Sequence, residues 1–241
     1  MSNFFKYKNL YHDKIAIFFG SGPTLENFTN FDQIKSDKFI KFGVNECIFV
    51  NDKLNLDYIV IGDYSDGGRV SQKECDKTII NQYKKNKNLK VICTGYREYL
   101  NHKIVSGLRS EINNKNFDFF EVEKREHSDV RKCPKPIFHI HENTRLIRYG
   151  SVSFDVIQLL LWMGFKKIVL IGHDSNYSKG TFFSKKENKG ENDFNKVSFA
   201  WIEVKNYMTD FYDSVKIYQI NPVALRNVYT TIEQDDIFKI L

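Results

Sequence analysis

A chain of 241 residues, 41% of them apolar, can bury the core of one substantial α/β domain with a smaller lid, and it reads as a single domain. Its formal net charge of +6 arises from lysine strewn among asparagine-rich loops. That pattern fits anionic ligands or a membrane surface and speaks against nucleic acid, which favours an arginine-rich stripe. Four cysteines without C-x-x-C spacing point to neither a zinc knuckle nor a disulfide framework, and no apolar run reaches signal-peptide or bilayer-spanning length, so a reducing cytoplasm is expected.

The first element is the apolar run Ile15 to Phe19, read as a strand buried on both faces of a parallel sheet. It feeds Gly20-Ser21-Gly22-Pro23-Thr24, a tight corner with proline at the first helical position, and a short helix is expected from Leu25 to Ile34. Two readings stand for this corner. As a phosphate site, it would combine unpaired amides, the positive end of a helix dipole and the hydroxyls of Ser21 and Thr24. The alternative is a structural strand-to-helix turn. The motif GSGPTL lacks the third glycine of G-x-G-x-x-G and the Lys-Ser/Thr of a P-loop, which disfavours dinucleotides and ordinary ATPase chemistry.

Strands are expected at Lys38 to Val44 and Leu56 to Ile61, ending at Asn45 and at Gly62-Asp63. In an open parallel sheet these residues and Ser21 would face one crevice beyond the strands' carboxyl ends; they also suit simple turn caps. A polar helix at Gln72 to Lys85 and a strand at Lys90 to Cys93 continue the alternation, and Tyr96 to Arg131 reads as an insertion with a strand at Phe117 to Val122. Pro136 to His141 alternates like a strand and puts His139 and His141 on one face, where either a hydrogen-bonded structural role or acid/base chemistry is open.

The clearest helix spans Ser151 to Phe165, with a polar stripe of Ser151, Asp155 and Gln158. Its first residues, with Ser153, would direct amides and hydroxyls toward an anion, and Arg145 and Arg148 lie just upstream. The strand Lys167 to Ile171 ends in Gly172-His173-Asp174-Ser175-Asn176-Tyr177. Ser178 to Lys196 is rich in glycine, lysine and asparagine and is read as a mobile lid, followed by a helix at Ser198 to Tyr212 and a strand at Val215 to Ile220. The fold class is therefore α/β: Rossmann-like, a mostly parallel open sheet with helices on both faces and a lid-like insertion.

Three pieces in fixed order, GSGPTL at 20–25, the strand ends at Asn45 and Asp63, and GSVSFDVIQLLLWMGFKKIVLIGHDSNY at 150–177, resemble bacterial sialyltransferases of the Campylobacter type. They also resemble the related Rossmann-like domain that includes archaeal hydroxymethylpterin pyrophosphokinases. The resemblance spans about half the chain. It implies that Gly20, Ser21, Gly22, Thr24 and Asn45 hold the nucleotide of a CMP-linked sugar donor and that Arg148 and Ser151 match the arginine and serine that precede and open the corresponding helix. Pro23, Asp63 and Ser153, by their place beside these residues, complete the expected nucleotide-binding set. The resemblance places Tyr177 like a tyrosine that helps the phosphate depart. That family draws a histidine base from beyond Gly-x-Asp; no histidine follows His173 here, so His173 and Asp174 are the catalytic candidates.

The expectation is a metal-independent glycosyltransferase in bacterial surface-glycan assembly, such as lipopolysaccharide or capsule. It would use a nucleotide-sugar donor and a glycan or glycolipid acceptor, without cofactor. Peripheral association with the inner face of the membrane and a homo-oligomer are both compatible with this reading. Pyrophosphate transfer from ATP, with Asp63 and Asp174 sharing Mg²⁺, is the second reading. A non-catalytic nucleotide- or glycan-binding module is the third.

Overall fold

The computed structural model describes residues 4–62, 72–124, 145–148, 151–175 and 191–240. Its centre is a nine-stranded, wholly parallel open sheet in the order β6-β5-β4-β3-β2-β1-β7-β8-β9. The strands are β1 (Ile15–Phe19), β2 (Phe39–Val44), β3 (Tyr58–Ile61), β4 (Lys90–Gly95), β5 (Phe117–Lys124), β6 (Leu146–Arg148), β7 (Lys167–Ile171), β8 (Lys216–Ile220) and β9 (Thr230–Thr231). Between them run the single turn α1 (Asn51–Leu54) and the helices α2 (Gln72–Lys85), α3 (Lys103–Glu111), α4 (Val152–Trp162) and α5 (Glu191–Phe211). The fold is α/β and Rossmann-like.

The chain lays down β1 to β6 in one direction, then returns to place β7 on the free side of β1. Right-handed crossovers on either side of this reversal put α2 and α3 on one face and α4 and α5 on the other. Contact between Phe154 of α4 and Trp201 of α5, with ring centroids 5.0 Å apart, agrees with that pairing. Coverage of both faces explains why β1 is apolar at all five positions and buried at each. The β1/β7 boundary is the sheet's switch point, where ligands of such folds sit.

The polar stripe expected on α4 lies inside the protein. Gln158 is fully buried; its side-chain carbonyl accepts from the Ile147 amide at 2.9 Å, and its amide donates to the Ile147 carbonyl at 2.7 Å. The side chain thus supplies what a neighbouring strand would supply to β6. Asp155, also fully buried, accepts a 2.7 Å hydrogen bond from the Thr94 hydroxyl of β4. At the other end of α4, the Trp162 and Met163 carbonyls accept from the Asn9 and Tyr11 amides, so the N-terminal segment closes the helix.

Several expectations need correction. The helix expected at Leu25 to Ile34 is two separate 3₁₀ turns, Pro23–Asn27 and Gln33–Lys35, because Thr24, Asn27, Thr29, Asn30 and Asp32 favour caps and turns over helix interiors. The insertion at Tyr96 to Arg131 contains α3, whose Ile104, Val105 and Leu108 face the core. The helix expected from Ser198 begins at Glu191, so the last six residues of the expected lid segment are its first turns. The rest of that segment, the strand expected at Pro136 to His141, Asp63 and Tyr177 lie outside the described residues. No helix among the described residues is long and apolar enough to cross a membrane.

Candidate functional site

All strands run the same way, so their carboxyl ends form one edge, and the described residues that follow β1, β2, β3, β4, β7 and β8 line it. At its centre the glycine corner after β1 packs directly on the loop after β7. The Gly20 amide donates to the Ile171 carbonyl and the Gly22 amide to the Gly172 carbonyl, both at 2.8 Å. The Thr24 amide donates to Asp174 Oδ2 at 2.8 Å, and the Thr24 hydroxyl donates to Asp174 Oδ1. A Cβ on Gly20 would stand 2.5 Å from the Gly172 carbonyl, and one on Gly22 would stand 2.5 Å from both that carbonyl and Asp174 Oδ2. The glycines are required by this chain-to-chain contact.

The phosphate-site reading of the corner therefore changes in substance. Gly22 leads into a single 3₁₀ turn with Pro23 at its first position, too short to carry a helix dipole, and the anion at its mouth is the protein's own Asp174. Ser21 is different. It is half-buried, and neither its amide nor its hydroxyl hydrogen-bonds to the described residues.

Asp174 and His173 are the candidates for proton transfer, and the geometry suits both to support instead. Asp174 is 4% exposed and both carboxylate oxygens are engaged by Thr24. Burial raises its pKa, and the two bonds from Thr24 oppose that rise. His173 is only partly shielded as a residue, but its imidazole lies between Phe18 and Trp201, with ring centroids 4.2 and 5.7 Å away. Its Nε2 hydrogen-bonds the Phe18 carbonyl at 3.1 Å, which makes Nε2 the protonated nitrogen of a neutral ring. Desolvation pushes its pKa down to about 3, against the smaller pull of that carbonyl. So weak a base is badly matched to deprotonating a hydroxyl near neutrality.

The remaining site residues line up along the edge. Asn45 ends β2 with a left-handed backbone, φ 42°, and its side-chain carbonyl accepts from the Gly62 amide at 3.1 Å, tying the β2 and β3 ends together. Its Nδ2 makes no hydrogen bond to the described residues. Ser151 caps α4, accepting from the Ser153 amide at 3.3 Å, and Ser153 is buried behind it. The Thr94 to Asp155 bond places this end of α4 above β4, three strands from β1 and hence roughly 14 Å from Ser21. The backbone of Arg148 closes β6. Among the described residues, no group of three or more His, Cys, Asp or Glu is placed to hold a metal ion. Cys47, beneath the edge, is fully buried and its thiol is pushed up to about 12 by burial, which removes it as a nucleophile.

Sequence reading missed the Thr24 to Asp174 bond, the Asn45 to Gly62 bond and the aromatic enclosure of His173. A signal for the first existed: an acidic residue two or three positions after a strand next to the first strand stands beside the first strand's corner. Using it requires the strand order.

No family model matches the chain, and no curated protein matches it in sequence. Among solved structures, the fold is similar to that of the sialyltransferase CstII from Campylobacter jejuni, determined with a substrate analogue, cytidine-5'-monophosphate. The TM-score is 0.50 at 16% sequence identity, over 92% of this chain and 86% of that one, a likeness of fold across nearly the whole length of both.

Proposed function

We propose that this chain is a glycosyltransferase using a nucleotide-activated sugar, with a CMP-linked donor preferred, and a glycan or glycolipid acceptor. The carrying observation is the layout of the carboxyl edge: Ser21 at the switch point, the Asn45 amide beside it and the Ser151 cap of α4 roughly 14 Å away leave hydrogen-bonding groups unengaged across a span suited to an extended nucleotide sugar. The likeness of fold to a sialyltransferase supports the same class. In this reading Ser21 and Asn45 bind one part of the donor, Arg148, Ser151 and Ser153 assist at its phosphate, and Tyr177 aids departure of the nucleotide. Gly20, Gly22, Pro23 and Thr24 shape the corner, while His173 and Asp174 hold it.

The pyrophosphokinase reading is weaker on one observation: the Asp174 carboxylate that would share Mg²⁺ is already engaged at both oxygens. Thermal-shift measurements with CMP, CDP, UDP, GDP and ATP, each with and without Mg²⁺, test the choice. The expected result is stabilisation by CMP or CDP that is indifferent to Mg²⁺ and weakened by Ser21→Ala. Stabilisation by ATP with Mg²⁺ alone would overturn it.

A further inference from the structure

We propose that Asp174 is the positioning residue of the switch-point crevice, a single residue that joins three loops, one of them through its carboxylate, and fixes Ser21 for its ligand. Its side chain holds the loop after β1 through the Thr24 amide and hydroxyl, its carbonyl accepts from the Ala224 amide in the loop after β8 at 3.1 Å, and it sits itself in the loop after β7. A carboxylate that merely capped its own turn would bond two or three residues away. These side-chain bonds reach back 150 residues, across the junction where the chain reverses direction.

The consequence falls on Ser21. It is flanked by Gly20 and Gly22, whose amides are anchored to β7 and the loop after it, and the Thr24 bonds close the same corner one residue beyond Pro23. With its neighbours held on both sides, the amide and Cβ of Ser21 are held in one arrangement before any ligand arrives, leaving only the rotation of its hydroxyl to be ordered, which lowers the cost of binding. Hydrogen bonds to an ionised group in a shielded site are the strong kind, so the latch is sturdy enough for that task. Ser175, next in the chain, has a left-handed backbone at φ 47°, and Gly172 lies at φ 71°; the loop bends on both sides of the carboxylate that it presents.

The ligand part of this inference rests on the nucleotide reading above; the latch part does not. The test pairs Thr24→Val, which keeps the amide bond and the side chain's shape but deletes the hydroxyl, with Thr24→Ser, which restores the hydroxyl, and adds Asp174→Ala. Hydrogen exchange, with no ligand present, should be about tenfold faster across 20–25 in Thr24→Val and faster again in Asp174→Ala, with Thr24→Ser near wild type and β4 and β8 unchanged in all three. Unchanged exchange at 20–25 in Thr24→Val and Asp174→Ala would overturn the latch. CMP is the second probe: Thr24→Val should bind it about tenfold more weakly, and Thr24→Ser should recover it. If wild type binds no nucleotide, the donor reading fails and exchange alone judges the latch. If Thr24→Val loosens the corner but binds CMP as wild type does, the positioning role is overturned and a structural tie remains.

Discussion

Acidification should destabilise this protein through His173, by an amount set by how its imidazole is enclosed. The folded-state pKa of about 3 lies below the free value of 6.5, so the unfolded chain takes up a proton that the folded chain refuses. The associated stability is fully present above 6.5 and is lost as the pH falls toward 3. Between pH ~7.5 and pH ~5 the unfolded state gains about 1.5 units of protonation free energy at this residue, or about 2 kcal/mol, and a domain of this size should lose roughly 4–8 °C in Tm. Urea unfolding of wild type and His173→Gln across that range isolates the residue. The variant is less stable at neutral pH because it leaves the Phe18 carbonyl and the Trp201 face poorly matched, but the gap should narrow by about 2 kcal/mol on acidification. A gap independent of pH would refute the reasoning. An imidazole seen by NMR to titrate near its free value would do the same and would return His173 to candidacy as a base.

Asp76, on α2, has a side-chain oxygen that is buried without a hydrogen-bond partner among the described residues, and burial raises its pKa to about 6 against the pull of Lys103. Its charged form costs stability as the pH rises from about 4 to 6, so Asp76→Asn should be more stable than wild type by about 1–3 kcal/mol at neutral pH, with the advantage vanishing below pH ~4 in denaturant titrations. Gln158→Leu leaves both Ile147 backbone groups without their side-chain partner and should cost about 2–4 kcal/mol, with exchange protection lost at 146–148 first. Gly22→Ala forces a methyl to within 2.5 Å of a carbonyl and of Asp174; circular-dichroism melts should show a loss of about 1–3 kcal/mol or more, and a neutral result would mean that the two loops do not touch.

The strands were the legible part of the fold, because both-face burial writes itself as short continuous apolar runs: Ile15 to Phe19 and Lys167 to Ile171 appear in the structure with the expected boundaries. α2 likewise spans Gln72–Lys85 as read. What failed were elements with mixed signals. α3 carries Ser106 and Gly107 mid-helix, which dilute a pattern held by three apolar residues, and β6 and β9 are too short to show any period. In the candidate site, the motifs were legible but their partners were not. GSGPTL and Gly172 to Asp174 each stood out, yet the chemistry given to them assumed open groups facing a ligand. A local motif shows which donors exist; only the order of the strands shows that Gly22 and Thr24 donate to Gly172 and Asp174.

The position of β1 between β2 and β7 also bears on how the chain is made. During synthesis β2 is available almost at once, at residues 39–44, whereas β7 does not emerge until residues 167–171. For that whole interval the apolar run Ile15 to Phe19 offers one row of backbone donors and acceptors to whatever is nearby, and such an edge invites pairing with another nascent chain. A chain interrupted before Lys167 would keep that edge permanently. Its partner's late arrival leaves the middle of the finished sheet open to aggregation through most of synthesis, and premature termination products ending upstream of β7 should collect in the insoluble fraction while the complete chain does not.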